Sequence, residues 1–220
     1  MRLSVVVPCF NAERFVGDAL ASILSQSRPP DQIVIVDDGS TDGSVARIAG
    51  FGDRVRLVRQ ANRGAAAARN AGLAATDGAL VAFLDADDLW PPGSLARRLA
   101  ALDQADADIV FGAVRALLES PSGAARLGPP MQGRLAGSMV VRRRVFDRVG
   151  AFDETLASAE VVDFGARAQA AGFAHLSIGD VVLHRRVHGD NLMLHHGEAS
   201  ADALRVLRRS IERKRGRSFA

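Results

Sequence analysis

The sequence predicts an α/β protein: one domain built on a mostly parallel sheet flanked by helices. Three observations carry this expectation. Short apolar runs alternate with stretches of helical period. Several runs end in acidic or turn-forming residues, as strands do where they leave a sheet. The chain has 220 residues and is 48% hydrophobic, enough for one full core, yet holds no apolar run near the length that spans a bilayer.

Taken in order, Arg2-Leu3-Ser4-Val5-Val6-Val7 reads as the first strand, breaking at Pro8 because proline has no ladder N–H. Asn11 is placed to cap the next helix. Phe15, Val16, Ala19, Leu20, Ile23 and Leu24 give that helix one apolar face, and Pro29-Pro30 ends the segment. Gln32–Val36 reads as the second strand, running into Asp37-Asp38-Gly39-Ser40-Thr41-Asp42. Val55–Val58 reads as the third. Gly64 then opens an alanine-rich helix through Arg69-Asn70. Ala79–Leu84 is the fourth strand, and Leu89-Trp90-Pro91-Pro92 leads into another helix. Ser120-Pro121-Ser122-Gly123 and Gly128-Pro129-Pro130 flank an expected mobile surface loop.

The fourth strand ends in Asp85-Ala86-Asp87-Asp88. Three carboxylates crowded at a strand end repel one another and lose solvation, which a cation or ligand relieves. Hard Mg²⁺ or Mn²⁺ takes oxygen ligands and leaves positions open for substrate phosphates. The acidic turn therefore points to a metal-assisted enzyme acting on a phosphorylated donor. Ligands of such sheets bind outside the carboxyl ends of the strands. The Pro8-to-Asn11 turn, Asp37-Asp38 and Asp85-Asp87 should meet there in one crevice.

Four stretches, in order, resemble the family 2 glycosyltransferases. They are Val5-Val6-Val7-Pro8-Cys9-Phe10-Asn11, Val36-Asp37-Asp38-Gly39-Ser40-Thr41-Asp42, Asn62-Arg63-Gly64 with Ala68-Arg69-Asn70, and Phe83-Leu84-Asp85-Ala86-Asp87-Asp88. The resemblance covers roughly the first half of the chain. It implies the nucleotide-diphosphosugar transferase (glycosyltransferase A, Rossmann-like) fold. Residues 1–198 would form the transferase domain, with a nucleotide-sugar half over 1–110 and an acceptor half over 111–198. Later stretches match more loosely: Gly137–Arg142 as a strand, Val145–Asp153 as a helix with a Gly-x-Phe-Asp turn, and Val181–His188 as the last strand.

The resemblance also implies roles. Pro8, Phe10 and Asn11 would shape the base pocket, Asp38 would read the base or ribose, and Asp37 would support that turn. Arg69 would tie the acidic turn or a phosphate through its fork. Asp87 is the first metal ligand expected, Asp85 meets ribose or the metal's water shell, and Asp88 orients Asp87 or caps a helix. Arg186 and His188 would contact the diphosphate or the metal. One departure stands out. Where the family carries Glu-Asp, with the aspartate as base, this chain has Glu160-Val161-Val162-Asp163. Glu160 is the first expectation for the base and Asp163 the second; Asp163 could equally pair with Arg167. The implied activity is an inverting transfer of a sugar, from a UDP-linked donor, to an acceptor hydroxyl or thiol with Mn²⁺ or Mg²⁺. The alternative is an inactive nucleotide-sugar-binding partner subunit.

Composition bounds the remaining classes. The first residues enter a strand directly, so no signal peptide is expected. One cysteine allows no internal disulfide and suits the cytoplasm; Cys9 reads as a packing residue. The histidines lack zinc spacing, and His195-His196 reads as loop. Net charge is +3, concentrated in residues 199–220, which read as a basic helix packed on the sheet or docked at an anionic membrane face. Nucleic acid is not an expected partner, because no reading motif accompanies the charge.

Overall fold

A single sheet of eight strands runs through the protein, with helices on both faces. The structure, a computed structural model, describes residues 1–119, 125–156, 158–187, 202, 205 and 206. The first strands and helices are β1 (Leu3–Cys9), α1 (Val16–Leu24), β2 (Gln32–Asp37), α2 (Ser44–Ala49), β3 (Arg56–Arg59), α3 (Ala65–Ala74), β4 (Leu80–Phe83) and α4 (Ser94–Gln104). The chain continues through β5 (Ile109–Glu119), β6 (Ala125–Gln132), β7 (Met139–Arg142), α5 (Arg143–Val149), α6 (Glu160–Ala170) and β8 (His175–Val187).

The order β3-β2-β1-β4 is fully parallel. β7 joins β4 antiparallel and passes the sheet to β5. β8 runs parallel along one edge of β5, while β7 and then β6 occupy the other. The expected single α/β domain is present, and the sheet crosses residue 110 without interruption inside β5. β1, β2 and β4 are buried on both faces, which is why they read as unbroken apolar runs. The apolar face expected for α1 packs on this sheet through Val16, Ala19, Leu20 and Ile23. On the other face, Phe83, Phe146, Phe152 and Phe164 form a ring cluster beneath α5 and α6.

Three local expectations are corrected. β1 does not break at Pro8 but pairs Pro8 with Val36 and runs on to Cys9. Pro8 shares the parity of Val6, whose carbonyl faces β4, and β4 pairing stops at Val6. The missing N–H therefore falls where no partner strand remains. Asn11 does not cap α1. It adopts φ 47° and ties to the 40–41 loop, while the free N–H groups of Ala12 and Glu13 are taken by Ser44 and Asp42. Gly128-Pro129-Pro130 is not loop but part of β6, exposed along its length. Its prolines fit because β6 is an edge strand, and the register shift opposite Arg115 and Leu117 absorbs their geometry. β5 itself has no counterpart among the expected strands.

Two contacts set the position of the acidic turn. Leu89 bridges His184 of β8 through both backbone groups, at 3.0 and 2.8 Å. Trp90 is buried and donates its indole N–H to the Gly137 carbonyl at 2.7 Å. Arg98 of α4 lies over the Trp90 ring, 4.4 Å from its centroid, and donates to the Gly137 and Met139 carbonyls. Burial, and then the neighbouring charge of Arg97, push the Arg98 guanidinium down to about 9.

α3 lies close on the sheet because Gly72 has no side chain. A Cβ there would sit 2.2 Å from Val6 Cγ1. Gly72→Ala should therefore lift the helix off β1 and lower unfolding free energy by about 1–3 kcal/mol in urea titrations, despite alanine's better helix propensity.

Candidate active site

The site is assembled by side chains that tie neighbouring loops to one another at the carboxyl ends of β1, β2 and β4. At β2, Asp37 is fully buried, and its carboxylate accepts from the Ser40 N–H and from Arg59. Gly39 turns with φ 80°, and a Cβ on it would meet the Asn62 nitrogen at 3.0 Å, so only glycine fits this turn. The Asp42 carboxylate accepts from the Glu13 N–H and the Glu13 carboxylate from the Gly43 N–H, tying the β1 and β2 loops together. Cys9 lies beneath them, 2% exposed, its thiol pushed up to about 11 by burial and then by the charges of Asp37 and Asp42. It packs as expected and has no nucleophilic character.

Asp38 is buried too. Its Oδ1 accepts from Gln60 at 2.7 Å and from the Arg63 N–H at 2.9 Å, and its Oδ2 accepts from the Gly64 N–H at 2.8 Å. The carboxylate expected to read the base thus holds the loop that starts α3. Pro8 is buried beside this turn and the Phe10 ring is 50% exposed above it.

Arg69 is the centre of the site. It projects from α3, 5% exposed, and its fork donates to two carboxylates from distant parts of the chain: Nη2 to Asp85 Oδ1 at 2.6 Å and Nη1 to Glu160 Oε1 at 2.7 Å. Burial alone would disfavour this cation, but the charges of Asp85 and then Glu160 outweigh it and hold the guanidinium more firmly protonated than usual. Asp85 Oδ2 and Glu160 Oε2 carry no hydrogen bond among the described residues. Next to Arg69 on α3, Asn70 exchanges hydrogen bonds with the Phe152 backbone, and Arg63 pairs with Glu154 at 2.8 Å. These clamp the segment that leads to α6.

The start of α6 decides which carboxylate faces the crevice. Ala159 adopts φ 68°, and the helix begins at Glu160. Val161 is 5% exposed and packs into the phenylalanine cluster. Asp163 is 2% exposed and accepts from Arg167 at 2.7 Å, while Arg167 also donates to carbonyls at the end of α5. Glu160 therefore meets Arg69 and Asp85, and Asp163 lies apart in a structural pair, the arrangement that its i, i+4 spacing to Arg167 allows.

Asp88 is buried, 4% exposed, and accepts from the Arg186 backbone N–H at 2.9 Å. Burial, then the charges of Asp85 and Asp87, push its carboxyl well above the ordinary range. Arg186 is buried as well: it donates to the Asp87 carbonyl and to Asp18, and lies 4.8 Å from the Phe15 ring centroid. Arg186 thus forms a strut between the acidic turn and α1. Asp18, Gln60 and Asn70 have structural parts here that sequence reasoning did not assign. Only Asn70, beside Arg69 in a recognised motif, carried a sequence signal. His188, His195 and His196 lie outside the described residues. Of the 199–220 segment, Asp202 is buried and accepts from the Ser158 N–H, so this part packs beside α6.

Among the described residues no three His, Cys, Asp or Glu side chains form a group able to hold a metal. A Mg²⁺-type site does not need one, because one or two carboxylates plus substrate phosphates suffice. Burial and then the charges of Asp85 and Asp87 raise the Asp88 carboxyl, and a divalent cation at the part-exposed Asp87 and Asp85 would relieve that charge. The residues present fit such an ion.

The fold recurs in solved structures. A crystal structure of S. aureus TarS 1–349 in complex with UDP-GlcNAc superposes with a TM-score of 0.80 over 97% of this chain and 66% of TarS 1–349, at 21% identity. The mannosyltransferase PcManGT of Pyrobaculum calidifontis, in complex with GDP-Man and Mn²⁺, superposes at 0.75 over 96% of this chain and 64% of its own, at 22% identity. At those identities the likeness is one of fold. Residues 4–150 match the Glycosyl transferase family 2 description, and the chain belongs to that family. The putative teichuronic acid biosynthesis glycosyltransferase TuaG of Bacillus subtilis is 40% identical over 101 residues, 44% of this chain and 40% of TuaG. An Escherichia coli β-1,3-glucosyltransferase named for UDP-Glc and GlcNAc-diphosphoundecaprenol, WfgD, is 30% identical over 112 residues, 50% of this chain and 44% of WfgD. The matched stretch is thus under half the length of these relatives.

Asp88 yields a pH prediction. The folded protein favours its protonated form, so Asp88 costs no stability below the ordinary carboxylate range, near pH 4. The cost grows as pH rises from there through the raised value. Asp88→Asn keeps an acceptor for the Arg186 N–H. It should match wild type in urea denaturation at pH 4 and be more stable at pH 8.

Proposed function

We propose that this chain is an inverting glycosyltransferase that moves a sugar from a nucleoside-diphosphate sugar, UDP-linked by expectation, to an acceptor hydroxyl or thiol. Residues 1–110 serve the donor and residues 111–198 the acceptor. The observation that carries the reading is the Arg69 fork, which holds Asp85 of the donor side and Glu160 of the acceptor side in one place. The family membership and the nucleotide-sugar complexes of the structural neighbours support the donor class.

On this reading the base of the nucleotide rests against Pro8 and the exposed Phe10 ring, with the ribose toward Asp85. A Mg²⁺ or Mn²⁺ ion held by Asp87 with Asp85 would neutralise charge on the leaving diphosphate. Arg69 fixes Glu160 through Oε1 and leaves Oε2 to accept the proton of the attacking group. The acceptor oxygen or sulfur attacks the sugar's C1 from the face opposite the diphosphate. The C1–oxygen bond to the diphosphate breaks, Glu160 takes the proton, and the nucleoside diphosphate departs. The ion pair with Arg69 fixes Glu160 in position, so its advantage lies in placement.

One observation favours a second reading, that of a nucleotide-sugar-binding subunit without turnover: Val161, at the family's base position, is buried in the core. Among the described residues no helix is long and apolar enough to cross a membrane. The placement that accompanies the proposal is cytoplasmic, with the basic 199–220 segment as a contact for an anionic membrane face.

Glu160→Gln should lower turnover by roughly 10²–10⁴ while UDP affinity stays within a few-fold, the pattern of a group used in the transition state. A wild-type protein that binds UDP-sugars but neither transfers nor hydrolyses them would establish the second reading. For the metal, calorimetry should show UDP binding that EDTA abolishes in wild type and that Asp87→Asn weakens with the fold intact. Equal affinity with and without EDTA would remove the metal from the mechanism.

A further inference from the structure

Beyond the donor site, β5 and β8 present a basic face formed by Arg115, His184 and Arg186. Arg115 pairs in register with His184, and Leu117 pairs with Arg186. Residues two apart on a strand share a face, so Arg115, His184 and Arg186 lie on one side of the sheet. Arg186 reaches the acidic turn from that side, and His184 bridges Leu89 immediately after it. The face therefore borders the crevice on its acceptor side.

Arg115 differs from the other arginines of the site. Arg69 and Arg186 are paired with carboxylates. Arg115 is part-buried, its Nε is shut off from solvent, and among the described residues it has no hydrogen bond or ion pair. A guanidinium shielded on one edge, with its fork unclaimed, is prepared for an anion that arrives from outside. His184 beside it is held toward its neutral form by burial and then by the Arg115 charge, so it stands ready as a further donor once an anion offsets that charge.

We propose that Arg115, with His184, binds a phosphate group carried by the acceptor. A guanidinium fork with an imidazole beside it suits the several oxygens and the higher charge of a phosphate. This inference rests on the glycosyltransferase reading, since it divides the crevice into donor and acceptor sides.

The test uses inorganic phosphate as probe and the intact chain, followed by the side-chain Nε–H resonance of Arg115, which its shielding protects from fast exchange. Arg115→Lys assigns the peak by removing it. Phosphate should shift the peak saturably, and should do so equally when UDP and Mn²⁺ are already bound. UDP affinity should be unchanged within two-fold in Arg115→Lys, while the response of the His184 ring to phosphate should weaken or vanish. Three results would overturn the proposal: no saturable shift; a phosphate shift abolished by UDP, which would make this the donor's own phosphate site; or an equal response to acetate. Failure of UDP to bind at all would instead remove the glycosyltransferase reading, and the phosphate titration without nucleotide would still be read on its own.

Discussion

The guanidinium of Arg69 is the constraint on which the candidate site depends. Three carboxyl groups crowd the turn after β4, and another begins α6; without the buried cation between them Asp85 and Glu160 would repel. Arg69 offers two parallel edges to two carboxylates at 2.6 and 2.7 Å, from inside the protein, where screening is weak. Removing a buried charge's partner is among the costlier changes a protein can suffer, about 3–5 kcal/mol. Loss of Arg69 would leave Asp85 and Glu160 uncompensated, so stability and site geometry are tied to one side chain.

The rest of the crevice follows the same logic of carboxylates that organise backbone. Asp38 gathers the loop ahead of α3, Asp42 accepts from the Glu13 N–H in the loop ahead of α1, and Asp88 anchors β8 through the Arg186 N–H. Each satisfies backbone donors that a chain leaving a buried sheet would otherwise lose. The acidic residues of the first half are therefore not interchangeable. Asp37, Asp38 and Asp88 are buried and already engaged, while Asp85 and Asp87 are the partly open members that can meet a ligand.

The helix α6 shows how one substitution need not empty a site. Val161 takes the core position that the helical turn assigns it, against Phe146, Phe152 and Phe164. The left-handed Ala159 precedes the helix, and Glu160 at its first position meets Arg69. A non-glycine residue in that conformation costs on the order of 1–3 kcal/mol, and such strain gathers where function needs a side chain aimed. Asp163, three residues on, is drawn away by Arg167 and by the carbonyls that Arg167 also caps.

The sequence by itself determined the α/β class, the order of β1 to β4 with their helices, the family, and the acidic turn with its arginine. These rest on local signals: apolar runs, glycine and proline punctuation, and short motifs whose spacing survives without a partner in view. It did not reveal β5 and β6, because an exposed edge strand containing Gly128-Pro129-Pro130 has the composition of a loop and becomes a strand only through β5. Nor did it separate Glu160 from Asp163, whose helical spacing places both on one face. Only the tertiary structure could do that, since Arg69 lies 91 residues from Glu160 and Arg167 only four from Asp163. The same holds for Asp38, Arg186 and Arg115. Their types were legible, but whether each charge is consumed inside the protein or left open to a ligand depends on contacts that no local pattern encodes.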